Sequence, residues 1–232
     1  MISRGMVGLR FELSRSIGFA NPAVARIGLA GTFAMLNRER DTNGARMDAI
    51  DALTTRRSPA QFAEPAPDDE SLAEILRAAM RAPDHGKLKP WRFIVLRGDA
   101  RKRFGDVMAE AMKRREPDVP ANMLEREREK PLRAPLIVVL AVAVQEGHKI
   151  PVVEQLLSAG AAAQNIMVAA HALGYGAAWK TGAPAYDNFV KETLGLAPSD
   201  AIAGFLYLGT PAMKPAALPQ PELSSFVRHW NG

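Results

Sequence analysis

The sequence predicts an α+β layered domain, and three observations carry that reading. Leu136 to Val144 is an unbroken apolar run of strand length, as expected of a central strand covered on both faces. Several other segments repeat apolar residues at helical spacing. Helices and strands are mixed along the chain, without the regular alternation that builds a doubly wound sheet.

Each element has its own signal. Met47, Ile50 and Leu53 recur at helical spacing, so residues 47–55 read as a short helix that runs into Arg56-Arg57-Ser58 and is stopped by Pro59. A second helix begins at the acids Asp68, Asp69 and Glu70. Its apolar stripe is Leu72, Ile75, Leu76, Ala79 and Met80, with Arg77 and Arg81 in the last turn and Pro83 and Gly86 beyond it. Trp91 to Leu96 is a strand candidate leading to Gly98-Asp99. Asp99 is placed to cap a helix whose buried face is Phe104, Val107, Met108, Ala111 and Met112. The charged stretch Glu125 to Lys130 reads as a solvated helical face or loop.

Residues 154–173 form the longest helix candidate, and it is small all round, with Ser158, Ala159, Gly160, Ala161, Ala162, Ala163, Ala169 and Ala170. Such a surface lets another backbone come close, either within the chain or at a subunit interface. Gly174 ends this helix in the manner of a left-handed cap. Gly176 to Gly182 follows as a short strand or turn, and Ile202 to Leu208 as a final strand. The proline-rich tail from Pro211 to Pro221 has no periodicity and reads as a segment that wraps a neighbour.

Bulk composition narrows the chemistry. A chain of 232 residues, 47% hydrophobic and 24% charged, is an ordinary globular protein of one or at most two domains. It has no cysteine, so disulfides, thiolate zinc sites, iron–sulfur clusters and cysteine nucleophiles are excluded together. Of the formal charge of +5, residues 1–46 account for +4, through seven arginines against Glu12, Glu39 and Asp41. The body, 47–232, is therefore close to neutral, which argues against a nucleic-acid partner. Residues 1–46 are rich in Gly, Ala, Arg and Ser and lack a sustained period. They read as a disordered extension, or as translation assigned from too early a start. Their arginine-rich, acid-poor composition is also that of a transit peptide. Ile17 to Leu36 is interrupted by Asn21, Pro22 and Arg26 and makes a poor membrane span. The expectation is a cytoplasmic protein with no membrane partner.

Several familiar sites are absent. No P-loop occurs, and no strand is followed by GxGxxG, since Gly174-Tyr175-Gly176 follows a helix and lacks the third glycine. His85, His148, His171 and His229 lack metal-ligand spacing, so no metal site is expected. What remains is a set of cations and hydroxyls on turns. Arg56, Arg57 and Ser58 offer two guanidinium forks and a hydroxyl, suited to a phosphate. The segment Arg81 to Trp91 adds Arg81, Lys87, Lys89 and His85 on a helix-to-strand loop.

The ordered set of short motifs resembles the nitroreductase family, close to its branch of small NAD(P)H nitroreductases. The matching pieces run over nearly all of 47–232: Arg56-Arg57-Ser58, Met80-Arg81-Ala82-Pro83-Asp84-His85, Pro90-Trp91, Arg133-Ala134-Pro135-Leu136-Ile137, His148-Lys149, Ser158-Ala159-Gly160, Trp179-Lys180-Thr181-Gly182 and Gly204 to Pro211. The resemblance implies a three-layer α/β/α sandwich with a mixed, mostly antiparallel central sheet, and a homodimer with two FMN molecules at its interface. It implies that Arg56, Arg57 and Ser58 meet the FMN phosphate and ribityl chain, that Arg81 and His85 reach the flavin of the partner subunit, and that Trp179, Lys180 and Thr181 complete the site. Lys214 would add a phosphate contact, and Ala169, Ala170, His171, Ala172, Leu173 and Gly174 would read the nicotinamide. The implied activity is electron transfer from NADH or NADPH to a small acceptor such as a nitroaromatic or quinone. No catalytic side chain is assigned, because the flavin carries the chemistry. A flavin-fold enzyme of other redox chemistry, such as a dehydrogenase or a reductive dehalogenation enzyme, and a nonenzymatic flavin-binding protein are the alternatives. Lys180 and Thr181 stand where the related branch has Arg and Ser, and Lys89 where Gln is common. Lysine keeps the charge and loses the fork.

Overall fold

The apolar run that marks the centre of the sequence is also the centre of the molecule. The computed structural model describes residues 47–213, 219 and 221–232. The expectations for residues 1–46, for Lys214 and for most of the proline-rich tail lie outside the described residues. In chain order the elements are α1 (Ala49–Thr55), β1 (Phe62–Ala63), α2 (Asp69–Ala79), β2 (Trp91–Arg97), α3 (Asp99–Arg115), α4 (Ala121–Glu129), β3 (Leu136–Val142), α5 (Val152–Ala172), β4 (Gly176–Lys180), α6 (Ala183–Tyr186), α7 (Asn188–Thr193) and β5 (Ala201–Pro211).

Every residue of β3 is buried, and the two-residue period of a strand sends its side chains into two cores. Leu136, Val138, Leu140 and Val142 join Leu72, Ile75 and Ala79 of α2 and Ala159, Ala162, Ala163, Ile166 and Ala170 of α5. Ile137, Val139 and Ala141 join Phe104, Met108 and Ala111 of α3, Ala185 of α6 and Val190 of α7. The molecule therefore has three layers with the sheet in the middle. β3 lies between β2 and β5, β4 pairs with β5, and β1 pairs with the last residues of β5. All four described pairings are antiparallel. The parallel member that a mixed sheet requires does not occur among the described residues.

The local signals act largely as the sequence suggests. The Asp68 carboxylate accepts from the Ser71 N–H at 2.8 Å and caps α2. That bond holds its carboxyl below the usual aspartate value. Gly174, at φ 87°, closes α5 in a Schellman motif, with Tyr175 N–H donating to Ala170 C=O at 2.8 Å and Gly174 N–H to His171 C=O at 3.0 Å. Of the two settings open to the small face of α5, the buried alanines occupy the one within the chain. Val152, Val153, Leu156 and Leu157 on its first turns stay exposed.

Two local expectations need correcting, and one segment carries helices that the sequence reading did not assign. Asp99 is not the cap of α3: Gly98 holds that place at φ 51° and ψ −130°, a conformation open to glycine, and Asp99 is the first helical residue, paired with Lys102 at 3.3 Å. The stretch 125–130 is not solvated throughout, because the Glu127 side chain is buried and paired with Lys130. The segment 183–193 carries α6 and α7, two helices too short for periodicity to register. The signal available was Asp187, which caps α7 by accepting from Phe189 N–H at 2.9 Å and Val190 N–H at 3.3 Å.

The close contact of α3 with α4 depends on Gly105, where a Cβ would overlap the backbone carbonyl of Arg128. Gly105→Ala is expected to destabilise the fold by about 2 kcal/mol and to lower the melting temperature by roughly 4–8 °C in a thermal unfolding scan.

Candidate functional site

The turn after α1 is built by the arginines it contains. One Nη of Arg57 donates to the carbonyls of Thr54 and Arg56, both at 2.9 Å, satisfying acceptors that the helix end leaves open. Arg56 donates to Ser58 Oγ at 3.2 Å. Both guanidinium groups are half-buried, neither has a carboxylate partner among the described residues, and Arg57 Nε is buried without a hydrogen bond. Half-buried charge left uncompensated is costly, and an anion held at this turn removes the cost.

The last turn of α5 lies against this cationic turn. Thr55 gives its hydroxyl proton to the Asp51 carbonyl at 2.5 Å, so His171 Nε2, 3.0 Å from the same oxygen, is assigned as the donor in that contact. Burial, and then the charges of Arg56 and Arg57, hold the His171 imidazole below its ordinary pKa. The fold thus joins the turn 56–58 to the segment 169–174. Within that segment Ala170 is fully buried in the core, whereas Ala172, Leu173 and Gly174 are exposed.

Trp179, Lys180 and Thr181 do not share one face. Trp179 points toward α5, with its ring edge near Gly160. Lys180 and Thr181 line a cavity of about 280 Å³ on the α3 side of the sheet, which also reaches Pro59 and Ala60 just after the cationic turn. The setting of Trp179 comes from a β-bulge that sequence reasoning missed. Leu140 of β3 pairs with Gly204 and Ala141 with Ile202, so Ala203 has no partner there. Its carbonyl accepts instead from Trp179 Nε1 at 3.0 Å, and the indole passes over Gly204, where a Cβ would overlap the ring nitrogen.

Arg81 and His85 lie elsewhere. Arg81 makes no side-chain hydrogen bond or ion pair among the described residues, and lines a cavity of about 600 Å³ with Lys87, Lys89, Arg92, Trp91 and Asp84. His85 Nδ1 meets Glu154 Oε2 of the first turn of α5 at 2.5 Å. Ser158 ties the same loop down, donating to the Pro83 carbonyl at 2.7 Å and accepting from Trp91 Nε1 at 3.1 Å. Lys87 and Lys89 sit at φ 56° and 49°, left-handed conformations that side chains rarely adopt. The Asp84 carboxylate holds the second of them through the Lys89 N–H at 2.8 Å. Glu154 and His171 are seventeen residues apart on one helix, about 25 Å. Within one chain, then, the His85 loop and the turn 56–58 stand at opposite ends of α5.

Two outcomes test this geometry. Gly204→Ala is expected to dislodge Trp179, with a red-shifted tryptophan emission and a loss of about 1–3 kcal/mol in denaturant unfolding. His171 is depressed below its ordinary value of 6.5, so between the two values the unfolded chain binds more protons. Stability from His171 is present above pH 6.5 and falls as pH drops through the folded value. Unfolding midpoints across that range should decline for the native protein and decline less for His171→Gln.

The Nitroreductase family model matches residues 53–210. "Putative NAD(P)H nitroreductase YdjA" of Escherichia coli (strain K12) is 42% identical over 185 residues, which are 79% of this chain and 100% of that protein. Among solved structures, the nitroreductase-like family protein from Bacillus cereus superposes with a TM-score of 0.70 at 24% identity, over 80% of this chain and 97% of that one. A mutant of the FMN- and NADPH-dependent nitroreductase NfnB from Sphigopyxis sp. strain HMH superposes with a TM-score of 0.65 at 20% identity, over 80% and 100%. The two structures speak to the fold, and the family match and the E. coli relative to descent: this chain belongs to the nitroreductase family.

Proposed function

We propose that two copies of this chain form a homodimer that holds FMN at its interface and transfers electrons from NADH or NADPH to a small acceptor such as a nitroaromatic or quinone. The observation that carries this reading is the length of α5. Arg56, Arg57 and Ser58 lie beside the last turn of α5 and His85 beside its first, about 25 Å away along the helix, so one flavin engages both sets when the second set comes from another copy. The exposed Ile50 and Leu53 of α1 and Val153 and Leu157 of α5 supply apolar surface for that association. Kinship supports the chemistry, since the E. coli relative is named "Putative NAD(P)H nitroreductase YdjA".

The cationic turn fits an FMN phosphate because its guanidinium charges are half-buried and unpaired among the described residues. Ser58 offers a hydroxyl to the ribityl chain, Lys214 a further cation, and Trp179 an apolar face. Lys180 and Thr181 supply a point charge and a hydroxyl in place of a guanidinium and a serine. The exposed end of α5, at Ala172 to Gly174 beside His171, is assigned to the nicotinamide donor. FMN held by Arg56, Arg57 and Ser58 would supply two-electron chemistry at its N5 between the nicotinamide donor and the acceptor. The side chains bind and orient, and Arg81 or Lys180 contributes positive charge where negative charge develops. A cysteine-free chain, with no described helix long and apolar enough to cross a membrane, is consistent with a cytoplasmic enzyme.

The purified protein is expected to be a yellow dimer in size-exclusion chromatography with light scattering, and to bleach anaerobically on addition of NADH or NADPH. A colourless monomer that ignores added FMN sinks the reading. Arg56→Ala should weaken FMN binding roughly tenfold or more in a fluorescence titration. Arg81→Ala should lower the flavin midpoint potential by about 30 mV for each tenfold by which it weakens the reduced complex more than the oxidised one.

A further inference from the structure

We propose that the cavity between β5, α3 and the turn after α4 is a binding site for a small aromatic carboxylate. It shares Lys180 and Thr181 with the flavin site argued above, and this proposal rests on that reading only at this rim, because Met108, Met112, Arg133, Phe205 and Tyr207 inside it carry no flavin role. Apolar walls come from Met108 and Met112 of α3 and from Phe205 of β5. At about 280 Å³ it lies at the small end of ligand pockets and suits a single ring.

Its polar groups select the ligand's charge. Two of the four lining cations are already neutralised, Arg115 by Asp187 and Lys130 by the buried Glu127. Arg133 and Lys180 have no carboxylate partner among the described residues, which leaves the cavity two positive charges in surplus. Tyr207 lines the same space at 7% exposure, and its hydroxyl has no hydrogen-bond partner among the described residues. That hydroxyl is open to the cavity rather than sealed in the core, so it is free to donate to an acceptor bound there. Burial pushes the phenol up to about 12, so it remains a donor at neutral pH, and the charge of Arg133 is felt at the same group. A carboxylate that accepts from the Tyr207 hydroxyl and faces Arg133, with its ring between the methionines and Phe205, satisfies each of these groups. An uncharged ring leaves the surplus charge unmet, and an inorganic anion leaves the apolar walls bare.

The test is calorimetric titration of the full-length purified protein, with whatever flavin it carries, using benzoate, benzamide and inorganic phosphate as probes. Benzoate should bind one per chain and at least tenfold more tightly than either control. Arg133→Met should weaken it about tenfold, and Tyr207→Phe, which keeps the ring and its packing, about fivefold. Methyl resonances of Met108 and Met112 should shift on addition of benzoate, a readout independent of either variant. Equal affinity for benzamide, competition by phosphate, unchanged binding in both variants, or release of FMN in step with benzoate uptake would each overturn the assignment. Flavin absorbance in the same samples reports separately on the flavin reading, so either can fail without the other.

Discussion

The packing of α5 on the sheet governs every distance that matters in this protein. Its alanines face the core at Ala159, Ala162, Ala163 and Ala170, so the helix backbone lies close to β3 and leaves little room for adjustment. A helix held that tightly along 21 residues acts as a rigid spacer. At its first turns Glu154 and Ser158 hold the loop bearing His85, and at its last turn His171 meets Thr55 beside the cationic turn. The two candidate halves of the site are therefore fixed to one body and kept apart by it. In the proposed dimer the same rigidity becomes useful, because each copy offers the half that the other cannot bring near.

Charge and strain concentrate at these two ends. At one, two half-buried guanidinium groups lack a carboxylate among the described residues, and the neighbouring imidazole is held toward its neutral form by burial and by their field. At the other, Lys87 and Lys89 occupy left-handed conformations in a loop pinned by Asp84 and Ser158. Surroundings that over-determine a loop can hold it in such a state, and residues of this kind gather where ligands are held. The sheet adds the bulge at Ala203, whose freed carbonyl orients Trp179, while the strand period turns Lys180 to the opposite face.

Much of this was legible in the residues. The run 136–142, the acids that open α2, the cap at Gly174 and the helical spacing of α2, α3 and α5 rest on local preferences and apolar period, and they form the elements expected. The ordered motifs pointed to the family that the comparison with known proteins shows. Legibility failed where a signal was short or non-local. Helices α6 and α7 are under two turns each, β1 has two residues, and the bulge opposite Leu140 is a mismatch between strands that neither strand's sequence contains. Gly204 was visible only as part of a motif, and its reason, the passage of an indole over its Cα, depends on a residue 25 positions earlier.

By itself the sequence determined the element types, the two-sided burial of β3 and which side chains carry charge, because these follow from short-range periodicity and residue chemistry. Only the tertiary structure decided which of those side chains share a space. It joined Arg56 and Arg57 to His171, parted them from His85, set Trp179 and Lys180 on opposite faces, and gathered Arg133, Lys180 and Tyr207 around one cavity. Proximity between distant residues is a product of packing, and packing is specified by the whole chain at once.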